Sequence, residues 1–124
     1  IKNSTLQTDM INLITAFNLP AFILAPVAGI LMGGATASTT AGSTIASQTF
    51  AKSLIDANVT ALNAGAMVHA GATVIDSLPH GSFFHATGGS VKMSIADRLK
   101  IIPYEAAVGL TTTIASVLVY LITK

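Results

Sequence analysis

The sequence predicts an all-α membrane fold in which transmembrane helices are interrupted by a re-entrant hairpin and a broken helix. Three observations carry that prediction. Of 124 residues, 9% are charged and 52% are hydrophobic, against roughly 25% charged in an ordinary soluble domain. Two stretches, Met10–Ala51 and Ala57–Ile75, contain no Lys, Arg, Asp or Glu, and a bilayer crossing needs about 20 apolar residues in helical form. Both stretches are broken near their middles by small and polar residues. Backbone that leaves the helix at membrane depth is tolerated only inside protein or beside a water-filled site. Inverted-repeat transporters build their sites from such breaks, so the pattern is that of a fragment of one.

Taken in order, Ile1–Asp9 is polar and reads as a loop or helix start outside the bilayer. A helical hairpin follows over residues 10–55. Its first arm, Met10–Gly34, is rich in Ile, Leu and Phe, with Pro20 and Pro26 each removing a backbone donor and favouring a kink. Ala35–Ser47 is almost entirely Ala, Thr, Ser and Gly. It has too little apolar bulk to face lipid and too little charge for an exposed loop. A buried turn or re-entrant tip fits, with hydroxyls from Thr36, Ser38, Thr39 and Thr40, before the chain returns through Ile45–Ile55.

Residues 57–91 read as a broken helix. Val59–Ile75 is dominated by Ala and Gly at spacings of three and four, which lets membrane helices approach closely. It stops at Asp76-Ser77-Leu78-Pro79-His80-Gly81, where Pro79 disfavours helical geometry at Leu78 and Gly81 permits a turn. A short helix restarts at Ser82 and ends at Gly88-Gly89. Residues 94–102 suit an interfacial helix: Ser94 caps it with Asp97 at the third position, and Ile95, Leu99 and Ile102 share a face. Pro103 then opens a final transmembrane helix, 104–123, with Tyr104 and Tyr120 near its two interfaces. Lys92, Arg98 and Lys100 precede that helix and Lys124 follows it, which places residues 92–102 in the cytoplasm by the positive-inside tendency. An ordinary transporter is several times longer, so residues 1–124 are expected to be the C-terminal part of a larger membrane transport domain.

The net charge of +1 argues against nucleic acid as a partner, because phosphate binding needs clustered Lys and Arg. Without cysteine the chain has no disulfide, thiolate metal site or Cys nucleophile. Asp76 is the leading functional candidate, since a carboxylate ending an uncharged helix is costly in a membrane unless paired, hydrated or working. His80, four residues on, is placed to share or relay a proton, and Ser77 adds a neutral ligand. An Asp76 that merely sits in an interfacial loop is the plain alternative. The second candidate is the Gly33–Gly42 string with Thr36 and Ser38, whose exposed backbone and hydroxyls can replace water around an ion; small-residue helix packing explains it equally well. His69 reads as a packed helix residue and His85 as interfacial. No HExxH spacing and no nucleophile elbow is present, so no enzyme activity, metal or cofactor is expected.

The chain resembles the C-terminal part of the gluconate permease (GntP) family, within the ion transporter superfamily. Gly33-Gly34-Ala35-Thr36-Ala37-Ser38-Thr39-Thr40-Ala41-Gly42 is similar to that family's Gly-Ser-Ala-Thr-Val stretch followed by Thr-Ala-Ala-Gly. Asp76-Ser77-Leu78-Pro79-His80-Gly81 is similar to the Asp-Thr-Leu-Pro-His segment of one branch, where many gluconate-type members carry Asn-Asp before a Gly. The resemblance implies scaffold and transport halves, with Thr36 and Ser38 at a hairpin tip and Asp76, Ser77 and His80 at a broken helix. It also implies uptake of gluconate or a related small organic acid, driven by protons or, in second place, by sodium. The setting it implies is multi-pass in the bacterial cytoplasmic membrane. Its partners there are the lipid bilayer, the remaining half of the transporter and, compatibly, further copies of itself. The competing reading is a structural helical subunit of a membrane complex with no transport of its own.

Overall fold

The computed structural model describes residues 5–124, and every element among them is helical. In chain order these are α1 (Leu6–Ala16), a single 3₁₀ turn (Ala21–Ile23), α2 (Leu24–Thr36), α3 (Thr39–Asp56), α4 (Ala61–Ala72), α5 (Ser82–Ser90) and α6 (Ile95–Thr123). Ile1–Ser4 of the polar lead-in lie outside the described residues; the rest of it is helical from Leu6.

Helices α2, α3 and α4 pack on one another in a three-helix body, and α6 lies against α4. One apolar core runs through all of them. Met10 and Ile14 of α1, Leu24 and Ala28 of α2, Phe50 and Leu54 of α3, Met67 and Val68 of α4 and Tyr120 of α6 are all buried in it. Gln7 of α1 also donates to the Ser53 hydroxyl of α3 at 3.1 Å. Small residues set the helix separations. A Cβ added at Gly71 would strike the Pro26 carbonyl of α2, and one added at Gly42 would lie 2.5 Å from Gly33 Cα. Backbones at that distance gain dispersion contacts that no larger residue permits.

None of the described glycines has positive φ; the left-handed positions are Asn18, Ala37, Asn58 and Lys92. Each ends a helix in the same way. At α3, the Val59 N–H donates to the Leu54 carbonyl and the Asn58 N–H to Ile55, while Val59 and Leu54 are both buried. That is a Schellman closure with its apolar contact. Ser38, Thr60 and Ser94 start α3, α4 and α6, each accepting a backbone N–H through its hydroxyl.

Four features differ from the sequence reading. The arm Met10–Gly34 is not a kinked helix: α1 ends at Ala16, and the chain restarts after Asn18-Leu19-Pro20. Pro26 falls in the first turn of α2, where no intrahelical N–H is needed. The interfacial and final helices are one continuous helix, with Pro103 inside it. On its first turns Arg98 is the buried residue, while Ile95 and Leu99 are exposed. Tyr120 packs its ring on Phe22 at 5.1 Å between centroids and so belongs to the core rather than to an exposed aromatic belt. Finally, α5 runs through Gly88-Gly89 and is closed by Lys92 instead.

Among the described residues one helix, α6, is long and apolar enough to cross a membrane, and 17% of its most apolar window is buried. At about 1.5 Å per residue its 29 residues rise about 44 Å. The 13 residues of α2 and 12 of α4 rise only about 20 Å each, short of a hydrocarbon core about 30 Å thick.

Candidate functional site

The turn between α2 and α3 and the break between α4 and α5 meet. Thr36 closes α2, Ala37 takes the left-handed conformation, and Ser38 caps α3 by accepting the Ala41 N–H at 3.3 Å. On the other side, α4 ends at Ala72 and α5 begins at Ser82, leaving residues 73–81 without regular helix. Gly81 lies directly on Ala37: an added Cβ would sit 2.5 Å from the Ala37 carbonyl oxygen. Ile75 packs its side chain over Gly34. Between these contacts Thr39, the first residue of α3, donates its hydroxyl to Asp76 Oδ2.

Asp76 is half-buried, and its other oxygen, Oδ1, accepts the Ser77 hydroxyl at 3.2 Å. Ser77 itself is 5% exposed. Among the described residues no cation pairs with Asp76. Two hydroxyl donors therefore hold the carboxylate, and they leave lone pairs free on both oxygens.

Two clefts open on this carboxylate. One, of about 340 Å³, lies at the hairpin tip and is lined by Ala37, Ser38, Thr39, Thr40, Asp76, Ser82 and Phe83. The other, of about 510 Å³, lies towards α6 and is lined by Thr73, Asp76, Ser77, Phe83, Tyr104, Glu105, Val108, Gly109 and Thr112. The wall formed by α6 is fixed at Gly109, where an added Cβ would lie 2.6 Å from Val74 Cα.

The structure thus gathers Ser38, Asp76 and Ser77 around two neighbouring clefts and leaves two other candidates aside. The Thr36 hydroxyl is turned into its own helix end, donating to the Met32 carbonyl at 2.8 Å. His80 is exposed, and no hydrogen bond joins it to Asp76 among the described residues; the carboxylate is met by the Thr39 and Ser77 hydroxyls instead. His69 is exposed on α4 rather than packed. His85 donates from Nε2 to the Pro79 carbonyl at 2.8 Å, which pins α5 back on the break.

Sequence reasoning named Thr39 only as one of four tip hydroxyls and gave Phe83, Arg98 and Glu105 no role in the site. Thr39 carries no sign that sets it apart from its hydroxyl neighbours. Phe83 looked like any apolar residue of a short helix. Arg98 and Glu105 form a two-pronged ion pair at 2.8 and 3.0 Å, with the Arg98 side chain 4% exposed. Arg98 also donates Nε to Thr87 at 3.2 Å and lies 5.0 Å over the Phe84 ring, so it ties α5 to α6. The signal was the seven-residue spacing, which puts both groups on one face of a helix read as continuous through Pro103.

A protein of Haemophilus influenzae named as an uncharacterized transporter is 56% identical to the chain over 120 residues. The alignment covers 97% of this chain and 29% of that protein, so the chain spans well under half of its relative's length. No family model and no solved structure matches the chain.

Proposed function

We propose that this chain is one section of a longer, multi-pass transporter of the bacterial cytoplasmic membrane. In this reading it carries a small organic anion, gluconate or a related carboxylate, together with a proton. The observation that carries the reading is Asp76: a half-buried carboxylate with no cationic partner among the described residues, held by hydroxyls where the α2–α3 turn meets the break after α4. Such a group is costly in a membrane unless it is paired, hydrated or working, and we read it as working. The likeness to a protein named as a transporter supports transport, and our choice of an organic acid as cargo follows from the resemblance of the Gly33–Gly42 string to the gluconate permease family. Ser38 and Ser77, with backbone at the tip, would receive substrate oxygens. Asp76 would take the coupling proton, which removes its repulsion for an incoming anion. Helices α2 and α4, each too short to span alone, fit halves of interrupted segments completed by the rest of the transporter.

The test is uptake of labelled gluconate and a panel of small organic acids into proteoliposomes bearing the full-length protein, with and without an inward proton gradient. Gradient-driven accumulation is expected. Asp76→Asn should insert normally and lose the pH-dependent component. Proton-driven uptake that survives the substitution would sink the coupling role, and no accumulation of any acid would favour a structural subunit.

A further inference from the structure

The two clefts share two side chains, Asp76 and Phe83. The two oxygens of Asp76 are held by different residues. Oδ2 takes the hydroxyl of Thr39, which lines the tip-side cleft, and Oδ1 takes that of Ser77, which lines the α6-side cleft. Phe83, on the first turn of α5, borders both and is 52% exposed. Its neighbour Phe84 is 1% exposed and is clamped beneath Arg98. One aromatic of the pair anchors α5, and the other is left free to change rotamer on the fast timescale of exposed side chains.

We infer that the clefts are two mouths of one proton path, with Asp76 as the carrier they share and the Phe83 ring as the partition between them. The inference rests on the proposed role of Asp76 as the proton-bearing group. A hydronium ion in one cleft gives its proton to a free lone pair of the carboxylate and becomes water. The neutral carboxyl then returns that proton to water in the other cleft, so no further reactant is needed. The groups facing Asp76 fit this role. From α3 come only the hydroxyls of Thr39 and Thr40, and from α6 come Tyr104 and Glu105, the latter already paired with Arg98. His80 of the break is exposed and makes no bond to Asp76 among the described residues, and His85 of α5 is engaged by Pro79. Asp76 is therefore the group that both clefts reach.

The experiment is passive proton flux into proteoliposomes bearing the full-length protein, read by an internal pH dye with no organic acid present. Phe83→Ala should raise the flux several-fold, and Phe83→Trp should hold it at or below the native level. Adding Asp76→Asn to Phe83→Ala should return the flux to that of Asp76→Asn alone, because a path without its carrier cannot conduct. Phe83→Leu keeps apolar bulk and covers the case in which the alanine variant fails to insert; its expected rise is smaller and equally dependent on Asp76. An unchanged flux in the Ala and Leu variants overturns the inference. So does a raised flux that persists without the Asp76 carboxylate, which would mean an unspecific leak. Since no acid is supplied, absent acid uptake sinks the symport reading alone, whereas absent Asp76-dependent flux sinks this one.

Discussion

The α2–α3–α4 body and the long helix α6 are held by different physics. Within the body, glycine faces backbone: Gly29 meets Val68, Gly33 meets Ala72, Gly42 meets Gly33 and Gly71 meets Pro26. Such contacts have no side chain that can rotate to absorb a change, so they fix helix separations by shape alone. Helix α6 has one such notch, at Gly109. Its other contacts are made by side chains, among them the Tyr120–Phe22 stack and Arg98, which Glu105 of the same helix holds as a polar clamp on Thr87 and Phe84 of α5. Leu110, Ile114, Leu118, Val119 and Ile122 remain exposed along it. The tip and break that position Asp76 thus belong to the unyielding region, while the joint between α5 and α6 hangs on a polar clamp that can open.

The sharpest way to break that contrast is Gly42→Ala. Its Cβ would lie 2.5 Å from both Cα and N of Gly33, and neither can move without parting α2 from α3. We expect a loss of about 3 kcal/mol, at the upper end for overpacking, read from the thermal midpoint of the full-length protein in detergent. Gly65→Ala is the matched control, because nothing lies within 4 Å of its added Cβ. There the better helix propensity of Ala should leave stability unchanged or raise it by up to about 1 kcal/mol. Equal losses at the two positions would show that glycine content, not its placement, governs the body.

The clamp on α6 should yield less. Arg98→Gln leaves Glu105 without its partner, but Glu105 is 30% exposed and can be rehydrated. The expected loss is therefore about 2 kcal/mol, below the range for severing a fully buried pair. The double variant Arg98→Gln, Glu105→Gln should lose less than the sum of the single changes, as two groups in direct contact require. Strict additivity would mean that Arg98 acts through Thr87 and Phe84 rather than through the ion pair.

How much of this was legible in the sequence follows from what each signal measures. Low charge and strings of small residues report the environment, and they marked both interruptions only broadly: the expected tip Ala35–Ser47 shrinks to Ala37-Ser38, with α3 helical from Thr39, and the break expected at Asp76 begins after Ala72. Ser94 announced its helix because capping is local chemistry. Proline was a poorer guide. Pro26 and Pro103 sit in regular helix, the first because an early turn needs no N–H there, the second because the pair from Arg98 to Glu105 spans it. Two of the helix ends were written plainly as Asn18 and Asn58, since Asn tolerates the left-handed conformation, but glycine drew the attention instead. The partner of Asp76 was beyond local reading altogether. His80 is near in sequence, whereas Thr39 is 37 residues away and arrives only when the tip docks on the break.

The smallest effect probes the flexible side of the contrast, at the joint between α5 and α6. Lys92 holds φ 54 there, with its N–H on the Gly89 carbonyl at 3.1 Å and the Met93 N–H on Gly88 at 2.9 Å. A left-handed conformation costs an L-residue about 1 kcal/mol, and Lys92 is exposed, so no packing offsets it. Lys92→Gly removes that strain but adds freedom to the unfolded chain. The net gain should be about 0.5 kcal/mol, seen as a slightly raised thermal midpoint. Ala37→Gly, at φ 46, relieves the same strain inside the unyielding region. There the lost methyl is one that touches Gly81, so no gain is expected. A gain at Ala37 equal to that at Lys92 would mean that the tip is packed on the break no more tightly than α5 is joined to α6, and the contrast between the two regions would fail where the tip docks beside Asp76.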